Sequence, residues 1–500
     1  MNRAILRISL ACLAMFVLLL LNVNYVQAFE SSKLAGEPGN IRVFDQQFTY
    51  QRGSIIANGD GTDLKIAESR PVKGTDTYRR YYPFGKVYAP VTGYNTIYGN
   101  SGIEEAENSL LAGTSPKLTV HNFTALLTGK QKQGATVELT ISPAAQQAAY
   151  QALLNDGGHQ AGVVALNPTT GAVLALASDP TFNPNELTSL NGSTVDRNDK
   201  QLLSEPSQPL LNRAISVTFP PGSSFKIVTS SAAFTKGLVK NTASTVYAPT
   251  VLTLPNGNHL INDGGEVCGN GRPQIIQAFW MSCNTAFGNL GKVMGAPYLR
   301  STSSRFGMNA PLSIPLPVVP SVMPNKPKYW TDPSLTAFSA IGQFNDEVTP
   351  MQEAMFSAAI ANSGRLMKPY LVQQVLGPGL SSIESATPTT LSQAVSPTVA
   401  GYVKSMMYQV THNPGGTAAL TAGPAQADGI NIYGKTGTAQ NGVDNGNLDD
   451  AVFTCFVPAQ PGAPAPIAVG VMVKGGGFGA DAAAPIAVAV IKAYEHAHDT

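Results

Sequence analysis

Three short strings stand in a fixed order along the chain: Ser223-Ser224-Phe225-Lys226, then Ser282-Cys283-Asn284, then Lys435-Thr436-Gly437-Thr438. Together they supply a hydroxyl nucleophile, an amine one helical turn away to take its proton, a second hydroxyl beside an amide, and a Lys-bearing strand able to bind an anionic peptide. A serine hydroxyl attacks a carbonyl poorly without a base, and a Lys desolvated beside Phe225 and Ile227 can be neutral enough to serve. We therefore read Ser223 as nucleophile and Lys226 as general base, with Ser282 relaying a proton between Lys226 and a leaving amine. Asn284 is expected to bond a substrate amide, Lys435 to attract a substrate carboxylate, and Thr436 and Thr438 to offer hydroxyls beside it. Gly437 removes a side chain where a ligand is expected to approach closely. The backbone N–H groups of Ser223 and Thr438 are the expected oxyanion donors.

No one of these strings is specific. Ser189-Leu190-Asn191 matches the second pattern equally well, and Ser223 with Lys226 alone would read as a helix start with a solvated Lys. Order separates them, because Ser282 lies between the other two strings while Ser189 precedes the nucleophile.

The elements that must hold these groups can be read locally. Pro220-Pro221-Gly222 resists helix and gives way to a helical run, so Ser223 belongs at a helix N-terminus, an electropositive place where residues three apart share a face. Residues 433–440 read as a strand. Residues 144–154 read as a helix, 161–166 and 172–177 as a hairpin, 452–457 and 467–474 as strands, and 482–497 as a closing helix. Helix, two strands, a long helical insert, three strands and a helix imply an α+β fold, an antiparallel sheet with helices on it. Before it, residues 29–140 are Gly-rich and polar with turn pairs such as Asn58-Gly59 and Asp60-Gly61, a small β-rich module. Within that module Tyr78 to Tyr88 interleaves aromatics with Arg79, Arg80 and Lys86. That pattern reads either as strand residues with exposed Arg or as a peptidoglycan or partner surface.

Composition bounds the rest. The chain has 500 residues, 43% hydrophobic and 13% charged, enough for two or three domains. A net charge of +1 gives no electrostatic footprint for nucleic acid. The six His, at 121, 159, 259, 412, 496 and 498, are scattered, and no Cys/His group has zinc-ligand spacing, so no metal or cofactor is expected. Arg3 and Arg7 precede an apolar run over residues 8–21 that continues, diluted by Asn22 and Asn24, to about Val26. Positive charge on that side keeps the N-terminus in the cytoplasm and delivers the remainder across the membrane. Val26-Gln27-Ala28 resembles a cleavage site, yet we read residues 1–28 as an uncleaved anchor, 29–140 as a non-catalytic domain and 141–500 as the catalytic domain. Export permits disulfides, and Cys268 with Cys283 is either a bridge pinning the Ser282 loop or two buried thiols.

With these motifs on the page, the chain resembles the class B penicillin-binding proteins, most closely the actinobacterial penicillin-binding protein A group. The resemblance extends to Gly171 through Ser178 with Phe182-Asn183-Pro184-Asn185, to the Pro221-Gly222 flank, to Thr349-Pro350-Met351-Gln352 followed by Ala361-Asn362-Ser363-Gly364, and to Arg52-Gly53. It implies the penicillin-binding transpeptidase fold: a five-stranded antiparallel sheet with helices on both faces plus a helical subdomain. It also implies a membrane-bound D,D-transpeptidase whose serine attacks the D-Ala-D-Ala end of a peptidoglycan stem peptide and passes the acyl group to an amine of another. β-Lactams would acylate the same serine. Partners implied are a membrane glycan polymerase and the division or elongation proteins. One departure is the acidic segment 341–347, where Phe344 stands after Gln343 in place of a Gly common in relatives, and whose acidity is expected to alter the cleft rim. A serine β-lactamase, a D,D-carboxypeptidase and a non-catalytic scaffold are the competing readings. Against the first, nothing in this chain after Ser282 reads Glu-x-x-Leu-Asn, the pattern of the class A enzymes.

Overall fold

The computed structural model describes residues 3–30, 48–118, 133–440, 448–461 and 463–498. Helix α1 (Arg3–Tyr25) has 23 residues and rises about 34 Å at about 1.5 Å per residue, enough for a hydrocarbon core of about 30 Å. Its apolar stretch, Ile5–Tyr25, is longer than residues 8–21 suggested. The Asn residues do not interrupt it, because Asn24 Nδ2 donates back to Leu20 O at 2.8 Å. Among the described residues it is the one helix long and apolar enough to cross a membrane.

The chain continues through β1 (Ile55–Ala57), β2 (Leu64–Pro71), β3 (Tyr78–Tyr81), β4 (Thr136–Leu139), α2 (Pro143–Leu154), β5 (Ala161–Leu166) and β6 (Val173–Asp179). A largely helical stretch carries α3 (Lys226–Lys236), α4 (Ile275–Trp280), α5 (Asn284–Met294) and α6 (Pro350–Ala361). Then come β7 (Val372–Leu376), β8 (Ser382–Ser385), α7 (Pro397–His412), β9 (Tyr433–Ala439), β10 (Asp450–Phe456), β11 (Ala468–Val473) and α8 (Ala483–His498).

Strands β9-β10-β11-β5-β6 form a five-stranded sheet, antiparallel throughout. Helices α2 and α8 pack on one face and α6 on the other. Strands β5, β10 and β11 are therefore buried on both sides, and their sequences read as near-continuous apolar runs without period-2 alternation. Helix α2 starts where expected because Ser142 caps it, accepting from Ala145 N at 3.1 Å with Pro143 in the first turn. The buried Gln146 amide then locks it to β6 through bonds to Leu176 N and O.

The N-terminal module departs from the expected contiguous unit. Its sheet runs β8-β7-β4-β1-β2-β3, so two of six strands come from residues 372–385, inside the span assigned to the catalytic domain. Strand β4 is almost wholly buried and would leave one edge unpaired without β7, which pairs Val375 with Val137 and Val372 with Leu139. Such pairing leaves no local trace in sequence. The stretches 31–47 and 119–132 of that module, with His121, lie outside the described residues. The Tyr78–Tyr81 strand turns Arg80 inward and leaves Arg79 exposed, as strand residues with exposed Arg would. Arg80 is buried against Glu104 at 2.5 Å, beside the Arg52–Glu104 pair at 2.6 Å, and Arg79 donates to Thr188 Oγ1 at 3.0 Å. These cations are committed to holding the module together and against the catalytic part.

Candidate active site

Ser223 lies in a 3₁₀ turn, Gly222–Phe225, that runs directly into α3. In a 3₁₀ turn residues i and i+3 eclipse more closely than in an α-helix, and Lys226 Nζ stands 2.8 Å from Ser223 Oγ. The amine also lies 2.7 Å from Ser282 O, 2.7 Å from Asn284 Oδ1 and 3.2 Å from Ser282 Oγ. Two good acceptors match the two hydrogens of a neutral amine, which leaves its lone pair for the Ser223 O–H. Lys226 is fully buried, and that burial, opposed by the Asp263 carboxylate, lowers its pKa to about 7. The base role read from Phe225 and Ile227 thus has a wider cause: the whole helix start is enclosed.

Ser282 occupies the turn between α4 and α5 with φ +61°, and Asn284 opens α5. A Cys268–Cys283 disulfide ties this turn to the loop after residue 261, closing a span for which the unfolded-chain entropy is worth about 3 kcal/mol. The bridge reading therefore holds over two free thiols. The Ser282 hydroxyl sits between two amines, since Lys435 Nζ donates to it at 3.0 Å. Asn284 differs from expectation: its Oδ1 is taken by Lys226 and its Nδ2 donates to Asp263 Oδ1 at 2.9 Å. One amide hydrogen remains for a substrate.

Lys435 also differs. It is fully buried, donates to Thr436 O at 3.0 Å as well as to Ser282, and lines neither cavity beside Ser223. Burial, and then the neighbouring Lys226, hold its pKa well below the usual Lys value. Its amine lies behind the strand, while Thr436 and Thr438 face the cavity. Thr436 Oγ1 is already 2.7 Å from Thr417 Oγ1.

Gly437 answers to another neighbour than a ligand. A Cβ built there would stand 2.6 Å from Pro221 O and 3.3 Å from Ser224 N, so the absent side chain lets the nucleophile's own turn dock on β9. The sequence showed a close approach but not the partner. We expect Gly437→Ala to push that turn away, lowering stability by about 1–3 kcal/mol and slowing acylation more than it weakens ligand binding. Thermal melts and stopped-flow acylation of the purified protein check this.

Two adjoining cavities, about 460 and 390 Å³, share Ser223, Asn262, Asp263, Thr438 and Phe478. Cavities of about 530 and 490 Å³ lie elsewhere, around Tyr370 and Phe182. Neither contains a nucleophile beside a base, so size does not pick out the site. Asp263, Thr417 and Phe478 were not singled out from sequence; they sit on loops brought in by folding, with no motif of their own. Of segment 341–347, Ile341 and Gln343 line the smaller cavity, and neither Asp346 nor Glu347 does. Asp346 is fully buried, which holds its carboxyl well above the usual carboxylate range. Phe344 adopts φ +77°, the left-handed region that a Gly occupies without cost, and packs edge-on against Tyr329. Asn191 of the decoy tripeptide caps the helix Gly192–Ser204. Among the described residues no group of His, Cys, Asp or Glu is arranged to hold a metal ion.

The same architecture recurs in known proteins. Residues 161–492 match the penicillin binding protein transpeptidase domain, and residues 52–137 the penicillin binding protein A dimerisation domain. The chain is 38% identical to the peptidoglycan D,D-transpeptidase PbpA of Mycolicibacterium smegmatis over 99% of both chains. The crystal structure of PBPA from Mycobacterium tuberculosis superposes with a TM-score of 0.82 at 36% identity, covering 90% of this chain and 100% of that one. Its penicillin G acyl-enzyme complex gives 0.80 at 36% identity, covering 89% and 99%. With a serine and a buried amine in contact, and with similarity running along nearly all of both chains, this protein belongs to the penicillin-binding protein transpeptidase family.

Proposed function

We propose that this protein is a peptidoglycan D,D-transpeptidase working through an acyl-serine on Ser223, and that β-lactams inhibit it by acylating the same atom. The observation that carries the reading is the Ser223–Lys226–Ser282–Lys435 chain, in which each polar atom is within 3.2 Å of the next. Ser223 Oγ attacks the carbonyl carbon of the penultimate D-Ala while Lys226 Nζ takes the hydroxyl proton. Backbone N–H groups of Ser223 and Thr438 receive the oxyanion. As the C–N bond breaks, the proton passes from Lys226 through the Ser282 hydroxyl, which the Lys435 amine orients by donating to it, to the leaving D-Ala nitrogen. An acceptor amine then attacks the ester, returns a proton along the same path and releases Ser223. Thr436 and Thr438 hold the donor carboxylate, and Asn284 its amide.

Helix α1 anchors the protein, with Arg3 and Arg7 on the cytoplasmic side and the catalytic body outside. We take 1–28 as anchor, 29–140 as non-catalytic domain and 141–500 as catalytic domain, the last lending β7 and β8 to the sheet of the second. A membrane glycan polymerase and division or elongation proteins are the proposed partners. A thioester analogue of the stem peptide, offered with a D-amino acid, should yield the aminolysis product in excess of the hydrolysis product. Hydrolysis alone, read by mass spectrometry of products, would make the enzyme a carboxypeptidase.

A further inference from the structure

Ser224, the residue after the nucleophile, makes two contacts that one hydroxyl proton cannot satisfy as donor. Its Oγ is 2.8 Å from Pro221 O and 2.7 Å from Glu353 Oε1. The count closes when Glu353 carries a proton. The acid O–H then donates to Ser224 Oγ, and Ser224 donates to Pro221 O. Pro221 O is the same atom that Gly437 leaves room for on β9.

Glu353 stands in the first turn of α6 and is fully buried, and its second oxygen, Oε2, has no hydrogen-bond partner among the described residues. Its helix cannot slide. Thr454 Oγ1 donates to Glu353 O at 2.5 Å, and Gly470 of β11 is pressed so close that a Cβ there would lie 2.3 Å from Ala354 N. The charged or titratable groups on elements packed against α6 are Asp450 and Cys455 on β10, Tyr402, Lys404, Tyr408 and His412 on α7, Arg365 on the strand Arg365–Met367, and Arg213 on the helix Arg213–Ser216. None shifts Glu353. Burial does, raising its pKa to about 8 against the opposing bond from Ser224.

We propose that Glu353, kept as the neutral acid, is a positioning residue for the nucleophile. It acts through Ser224 to clamp the 221–225 turn against β9, so that Ser223 Oγ stays in line with Lys226 and the cavity. The inference rests on reading Ser223 as the acylated serine. Ionisation of Glu353 withdraws the acid proton, forces Ser224 to donate to the carboxylate and releases Pro221 O.

The test is the acylation rate of the full chain by a fluorescent penicillin from about pH 5 to pH 10, with Glu353→Ala, Glu353→Gln and Ser224→Ala. We expect Glu353→Ala and Ser224→Ala each to acylate about tenfold to a hundredfold more slowly, the scale for a slightly misplaced reacting group. Their combination should be no slower than Ser224→Ala. Glu353→Gln, whose amide still donates to Ser224, should recover most of that rate and lose the fall in rate that the wild type shows above about pH 8. Wild-type speed in Glu353→Ala, or the same alkaline fall in Glu353→Gln as in wild type, overturns the proposal. The Gln profile decides the matter even where the Ala variant does not fold. A wild-type protein without an adduct on Ser223 would instead overturn the function proposed above.

Discussion

Ser223→Ala abolishes covalent labelling by a fluorescent penicillin, and intact-mass spectrometry then finds no acyl adduct. The expectation follows from geometry rather than from the motif alone. Ser223 is the hydroxyl that both contacts a buried amine and opens onto the shared cavity wall. Ser224 is fully buried and turned toward Glu353, so it cannot take over. In serine hydrolases, removing the nucleophile costs on the order of 10⁶ in turnover, and here no ester can form at all. A persisting label on the variant would mean another nucleophile and sink the assignment. The wild-type adduct should last through the time course, because no Glu-x-x-Leu-Asn string follows Ser282 to supply the deacylation base of the class A lactamases. Rapid release would favour a β-lactamase.

Acylation by the wild-type protein rises with pH through about 7 and is about fiftyfold slower at pH 5 than at pH 7, on the acid side of the fall that Glu353 produces. The sign follows from which form of Lys226 is competent. Only the neutral amine can accept the Ser223 proton, and burial lowers its pKa from 10.5 to about 7, so below that value the base is progressively lost. The same shift acts on stability. Between about 7 and 10.5 the unfolded chain binds a proton that the folded chain does not, so this group's contribution to stability increases as pH rises through that window. Lys226→Ala should lower acylation by about 10³, the middle of the range for general-base catalysis, and flatten the acid limb. Stopped-flow rates over the pH series measure both. A variant that keeps the acid limb would place the titrating group elsewhere.

Much of the site was legible because its key spacing is local. Ser223 and Lys226 are three residues apart, and any helical turn brings them together. The apolar runs of β5, β6, β10 and β11 and the Gly- and Thr-bearing run of β9 likewise carry their own geometry, and each was placed within a few residues. Lys435 was read as attracting a substrate carboxylate, and its burial was not foreseen because a strand residue's neighbours across the sheet and behind it are invisible in its own string. The fold instead buries it against a serine 153 positions away. Gly437 announced close packing but not against what.

By itself, then, the sequence determined the reacting groups, their order and the elements bearing them, through spacing that acts over one turn or one strand. Tertiary structure alone decided protonation and partnership: which amine is neutral, that Asn284 is held by Asp263, that β7 and β8 complete another domain's sheet, and that Glu353 reaches Ser224 across 129 residues. These depend on burial and on contacts between distant segments, and both exist only once the chain has closed around them.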